Sequence, residues 1–215
     1  MTPTLHHVQR ASLVLLVFSL LAAGILAGTY LITAPRIQQA ENEARLDLVK
    51  QILPDDLFDN DLLATERTLR AADAPTLNNV EDTPYYLATV QGKPTAIILQ
   101  ANAPDGYAGT ITLLIGVLSD GTVSGVRALH HKETPGLGDY IQLGKPYTSQ
   151  GQRKTDWVRQ LDRQPPQAAP QWAVSKDGGH FDYMAGATIS PRAVLKAVAT
   201  TQQFVLTHRD RLFNP

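Results

Sequence analysis

Thr188 is the residue on which this chain could build chemistry. The run Gly186-Ala187-Thr188-Ile189-Ser190-Pro191 sets its hydroxyl in a small-residue turn just ahead of a helix start. Ser190 followed by Pro191 predicts an N-cap and a first helical residue. Beyond them Val194, Leu195, Val198, Val205 and Leu206 recur at helical spacing, so a helix is expected over 191–208. A helix N-terminus offers unpaired backbone N–H groups and partial positive charge, which favour a phosphate. Gly186 and Ala187 leave room for a bulky group to approach the backbone. The physical reading is a phosphate site beside a threonine, with the phosphate unidentified.

A second patch, His130-His131-Lys132-Glu133-Thr134-Pro135-Gly136-Leu137-Gly138-Asp139, falls where a strand should end and a loop begin. Pro135, Gly136 and Gly138 let that loop turn sharply; alone it reads equally as an ordinary Gly-Pro loop. The adjacent His130 and His131 would point to opposite faces of a strand end. With no second cluster at zinc-like spacing, no metal site is expected. No serine sits in a Gly-x-Ser-x-Gly elbow, and Gly136-x-Gly138 lacks the third glycine of a dinucleotide fingerprint. Arg192 and Lys196 stand where they could add positive charge near a phosphate-bearing helix start, and the commoner reading of such residues is solubilising charge on the terminal helix. The chain has no cysteine, which excludes thiolate-held iron–sulfur clusters, Cys-x-x-Cys-His haem attachment, disulfides and thiol catalysis within it. A net charge of −1 gives no basic stripe and no reason to propose nucleic acid as a partner.

The stretch from Asp182 to Ser190 resembles the flavinylation motif of the FMN-binding domain family, Asp-x-x-[Ser/Thr]-Gly-Ala-[Ser/Thr]-x-[Ser/Thr]. Ala185 stands where many relatives carry a hydroxyl. The resemblance implies that a separate flavin transferase esterifies the FMN phosphate to Thr188, with Asp182 as the motif acid. The second patch resembles the His-x-Glu-Thr-Pro-Gly-Leu-Gly segment of the G subunits of Rnf-type electron-transport complexes. A similar patch occurs in the C subunit of the sodium-pumping NADH:quinone reductase. From these resemblances FMN contacts are expected at His131, Glu133, Thr134, Gly136, Leu137, Gly138, Lys176, Asp182, Gly186, Ala187 and Ser190. Leu137 would cover an isoalloxazine face, and Glu133 and Thr134 would fix its polar edge. The protein supplies the charges and hydrogen bonds that tune a flavin. The family implies a relay subunit without stand-alone activity, catalytic residues or metal. It would sit in a complex that couples ferredoxin/NAD electron transfer to ion translocation. Its partners would be the other subunits, the flavin transferase and membrane lipid. The quinone-reductase C subunit and a flavin-free anchored scaffold stand as the alternatives.

The elements that must position these residues follow from patterning. Residues 11–35 hold no charge, and the apolar part, 11–32, exceeds the roughly 20 residues needed to span a bilayer core. A cleaved signal peptide would carry an apolar region of only about 7–15 residues. The expected division is a cytoplasmic head (1–10), a transmembrane helix (11–34), a stalk helix and linker (35–75) and an FMN-binding domain (76–215). Arg10 before the span nearly balances Arg36 and Arg45 after it, so the positive-inside rule is weak here. The short head and the resemblance favour a bacterial inner-membrane protein with its main domain in the periplasm. Ile37, Ala40, Ala44, Leu48 and Ile52 form a helical stripe opposite Glu41, Glu43 and Asp47, ended by Pro54. That stripe suits a stalk continuing the anchor or a helix lying on its own domain. Residues 55–84, acidic and broken by Pro75 and Pro84, read as a linker or a loosely packed entry segment.

Alternation and turn residues predict strands at 85–91, 95–100, 110–118 and 122–129. Gly92-Lys93-Pro94 and Ser119-Asp120-Gly121 would be the hairpin turns. A short strand is expected at 171–175 and a helix at 154–161. This is an α+β pattern with a mainly antiparallel sheet and flanking helices.

Overall fold

A computed structural model describes residues 3–214. Within α1 (Pro3–Ile52) the side chains of residues 3–6, Gln38, Glu41, Asn42, Ala44 and Arg45 lie outside the described set, so Glu41 and Ala44 of the predicted stripe are not placed. The chain divides into two units, 1–45 and 46–215. In the first, residues 7–37 form the one described helix long and apolar enough to cross a membrane, with mean hydropathy 2.4. Ile37 is exposed there, as is Ala40.

The second unit is built on a five-stranded antiparallel meander. Its strands are β1 (Glu66–Leu69), β2 (Thr83–Val90), β3 (Lys93–Ala103), β4 (Ile111–Leu118) and β5 (Val123–His130), in spatial order β1-β2-β3-β4-β5. Along β3 the apolar run Ala96-Ile97-Ile98-Leu99 is wholly buried, because both faces of the sheet are covered. Ile97 and Leu99 join the larger core with Val194, Leu195 and Val198 of α2 (Ile189–Thr207). Ala96 and Ile98 face a smaller core with Val49, Ile52 and Leu53. Paired Gly116 and Gly125 on β4 and β5 make the slot that receives Ile52. A Cβ at Gly116 would stand 2.6 Å from the Ile52 Cγ2, and one at Gly125 3.0 Å from the Ile52 carbonyl. Buried Arg127 closes this junction. Its Nη2 donates to the Gln51 carbonyl at 2.6 Å, capping the C-terminus of α1, and its Nη1 donates to Asp162 Oδ1 at 3.2 Å. The last turn of the predicted stalk is therefore core of the second unit.

Several sequence expectations are corrected. Residues 55–84 are not a linker: Leu62, Leu69, Ala74 and Leu77 are buried, and β1 pairs with β2. The compact unit that holds the sheet begins at Leu46. A run of 3-10 turns and one edge strand buries widely spaced single apolar residues, which leaves no periodic pattern to read. The helix expected at 154–161 is instead the end of β7 (Gln152–Thr155), hairpinned with β6 (Pro146–Ser149), followed by a 3-10 turn Trp157–Leu161. The strand expected at 171–175 is two 3-10 turns with a single bridge, Val174 to Phe181. After α2 a short α3 (Arg209–Phe213) buries Leu212 and Phe213.

Candidate functional site

Two turns of the same kind face each other beside the N-terminus of α2. In the first, Leu137 N–H donates to the Thr134 carbonyl at 3.0 Å around Pro135 and Gly136, with Gly136 at φ +74°. In the second, Ala187 N–H donates to the Met184 carbonyl at 3.1 Å around Ala185 and Gly186, with Gly186 at φ +84°. A positive φ at the third residue is the type II signature, and glycine adopts it without strain. Tyr140 fixes the second turn from below: its hydroxyl donates to the Ala187 carbonyl at 3.0 Å and accepts from Met184 N–H at 3.3 Å. Burial drives the Tyr140 phenol far above its ordinary pKa, so the neutral donor is maintained.

One buried bond ties the loop to the helix across 57 positions. Ser190 Oγ donates to Glu133 Oε2 at 2.6 Å, and Ala108 N–H donates to Glu133 Oε1 at 3.2 Å. Both side chains are almost inaccessible, Ser190 at 2% and Glu133 at 4%. This bond also corrects the predicted cap. Helix α2 starts at Ile189 with Thr188 as its N-cap residue, because Ser190 Oγ is donating to a carboxylate instead of accepting a backbone N–H. Pro191 sits in the first turn, where a missing N–H costs nothing. The N–H groups of Ile189 and Ser190 are left without intrahelical partners.

Between these parts lies a cavity of about 490 Å³, lined by Tyr107, Glu133, Thr134, Leu137, Gly138, Lys176, Gly186, Ala187, Thr188, Ile189 and Ser190. Its size is that of a small-molecule site, typically about 300–1,000 Å³. Tyr107, Leu137 and Ile189 on its rim are 69%, 51% and 45% exposed, an apolar margin around a polar floor. Thr188 is half-buried, and its Oγ1 accepts from Arg192 Nη1 at 3.0 Å. A larger groove of about 580 Å³ beside Trp172 and Phe204 contains none of the predicted site residues.

Nine predicted site residues line the smaller cavity: Glu133, Thr134, Leu137, Gly138, Lys176, Gly186, Ala187, Thr188 and Ser190. Three do not. Asp182 is committed elsewhere: Lys154 Nζ donates to its carboxylate at 2.6 Å, Tyr147 OH at 3.4 Å, and Trp157 Nε1 donates to its carbonyl at 2.6 Å. It thus anchors the strap that leads into the Gly186 turn. His131 uses Nδ1 to accept from Glu133 N–H at 3.1 Å. Gly136 supplies the turn, its N–H held by Asp139 Oδ1 at 2.7 Å. The Glu133 carboxylate serves Ser190 and Ala108 rather than an open polar edge. Sequence reasoning missed Tyr107 and Ile189, which carry no chemical signal until folding brings them to one rim.

The donor set suits a phosphorylated planar ligand. A helix start, the Thr188 hydroxyl and Lys176 line the cavity, the Arg192 guanidinium reaches Thr188 from outside the lining, and exposed apolar side chains stand at the margin. The FMN-binding domain family matches residues 106–203, and the RnfG N-terminal region matches residues 1–52. The chain is 42% identical to the G subunit of the ion-translocating oxidoreductase complex of Vibrio cholerae, over 98% of this chain and 96% of that one. The G subunit of the Pseudomonas aeruginosa complex is 40% identical, covering 99% of this chain and 95% of its own length. That of Shewanella baltica is 40% identical over 93% and 90%.

Proposed function

This chain belongs to the G-subunit family of ion-translocating oxidoreductase complexes, and we propose that it relays electrons there through one FMN esterified to Thr188. The observation that carries the reading is the meeting of Thr188, the α2 N-terminus and the Thr134–Gly138 turn around one cavity. When bound, FMN supplies one- and two-electron redox chemistry that a cysteine-free chain lacks. The protein's own part is to hold and screen it. The N–H groups of Ile189 and Ser190 and the Lys176 ammonium face the phosphate end. Tyr107, Leu137 and Ile189 offer apolar surface to the ring, and Gly138 keeps the loop backbone close to Glu133. Phosphoester formation needs an activated phosphorus, which a flavin dinucleotide provides. The Thr188 O–P bond forms, the pyrophosphate bond breaks, the nucleotide leaves, and the hydroxyl proton passes to a base on the transferase.

The apolar helix 7–37 supports a single membrane anchor; the main domain is proposed to lie on the periplasmic side of the inner membrane, as the short head before the span and the family resemblance favour. A tethered cofactor suits that compartment, since FMN lost there would leave the cytoplasmic pool. Co-expression with a flavin transferase tests the attachment. After full denaturation the chain should fluoresce on a gel, gain the mass of FMN less one water, and lose both when Thr188→Val is introduced. A dark, unmodified band beside a working control substrate would refute the attachment and favour a flavin-free scaffold.

A further inference from the structure

We propose that Arg192, clamped by Asp177, is a positioning residue that presents the Thr188 hydroxyl for modification and then faces the phosphate that Thr188 carries. This deepens the Thr188 reading and rests on it. Arg192 lies one helical turn beyond Thr188, and its guanidinium is used on two sides. Nε and Nη2 donate to the two Asp177 oxygens, both at 2.6 Å, and Nη1 donates to Thr188 Oγ1 at 3.0 Å. A bidentate pair fixes the plane of the guanidinium, so the third contact is aimed rather than adventitious.

Asp177 is itself held by a built turn. It ends the 3-10 turn Ser175–Asp177, followed by Gly178 at φ +89°. The next residue, Gly179, packs so closely on the Ala173 backbone that no Cβ fits. Gly179 N–H donates to the Val174 carbonyl at 3.2 Å, and Ser175 N–H to the Phe181 carbonyl at 2.8 Å. The arginine bond holds the Asp177 carboxyl below the usual carboxylate range, so the clamp stays charged at neutral pH. Lys196, four residues further along α2, differs: it makes a solvent ion pair with Asp105 and lines a groove elsewhere.

The chemistry of the pair defines its role. A guanidinium cannot accept a proton, so Arg192 is not the base that activates Thr188. As a donor it occupies one lone pair of Oγ1 and turns the hydroxyl hydrogen outward, towards the base the transferase supplies. Once Oγ1 is an ester oxygen, the non-bridging phosphate oxygens stand two bonds from the atom this donor already contacts, so the same guanidinium would face them. Arg192 and Lys176 then balance the charges of Asp177 and the phosphodiester.

Attachment rates in detergent, with purified full-length chain, flavin transferase and flavin adenine dinucleotide, test this. Arg192→Ala should slow covalent labelling by about tenfold or more, the scale for losing one hydrogen bond from a charged donor. Arg192→Lys should recover part of the rate and Asp177→Asn should lie between, while Lys196→Gln labels like wild type. Added guanidinium ion should speed Arg192→Ala and leave wild type unchanged, which a purely structural role would not produce. Labelling of Arg192→Ala at the wild-type rate, with Thr188→Val still dark, would overturn the clamp alone. So would a slow Arg192→Ala that guanidinium cannot rescue and that melts below wild type. An unlabelled wild type beside a working control substrate would overturn the Thr188 reading and the clamp together.

Discussion

Ser190→Ala should destabilise the domain out of proportion to one lost hydroxyl. The Ser190–Glu133 bond is short, at 2.6 Å, and buried at both ends. A hydrogen bond to a charged group contributes about 1.5–3 kcal/mol, and its loss here strands a carboxylate oxygen that water barely reaches. For a domain of this size about 2–3 kcal/mol lowers the melting temperature by about 5–10 °C. Near-ultraviolet circular dichroism of the detergent-solubilised chain reads this directly, because both tryptophans, Trp157 and Trp172, are buried in the main core. Gly138→Ala attacks the same contact sterically. Its Cβ would sit 2.7 Å from Ser190 Oγ and closer still to Glu133 Oε2, an overpacking worth about 1–3 kcal/mol. Since removing Oγ frees part of that space, the double variant should lose less than the sum of the singles. A Ser190→Ala melting point within about 1 °C of wild type would refute the argument.

Two further outcomes follow from the turns around the cavity. Gly186→Ala should cost more than about 1 kcal/mol through its positive φ alone, since nothing lies within 4 Å of the added Cβ. Gly186→Asn should cost less, because asparagine tolerates the left-handed region; equal melting points for the two would place the cost elsewhere. On pH, burial and the Asp182 carboxylate push Tyr147 up to about 12. Its neutral form is therefore favoured by the fold, a contribution intact below the ordinary phenol value of about 10 and lost as pH rises towards about 12. Denaturation midpoints should fall across that window, Tyr147→Phe should flatten the fall, and an unchanged slope would rule Tyr147 out as its source.

The sheet was legible because each of its main strands carries a signal that needs no partner: alternation in 85–91, an apolar run at 110–118, and Asp120-Gly121 between β4 and β5. The helix α2 was legible from its period, although its start was misread by two residues. Serine before proline usually caps, and here a glutamate 57 positions away claims the hydroxyl instead. Residues 55–84 and the β6–β7 hairpin were illegible for one reason. Their buried residues, among them Leu62, Leu77 and Tyr147, are spaced irregularly and held by contacts to distant elements. The site divides in the same way. Thr188, Gly186 and the Thr134–Gly138 loop carry recognisable wording, whereas Tyr107 and Ile189 carry no local signal and matter through where folding puts them.

That division explains why Asp182 belongs to the motif wording without lining the cavity. Its side chain takes Lys154 of β7 and Tyr147 of β6, and its backbone takes Trp157 and Gln160. Those four contacts fix the height at which the strap enters the Met184–Ala187 turn, and Tyr140 then fixes the turn itself. The position of Thr188 Oγ1 is thus set from three directions: the Asp182 strap behind it, the Ser190–Glu133 bond beside it, and the Arg192–Asp177 pair ahead of it. Thr188 itself is half-buried, and the polar residues of its own segment, Asp182 before it and Ser190 after it, are spent on holding that segment in place.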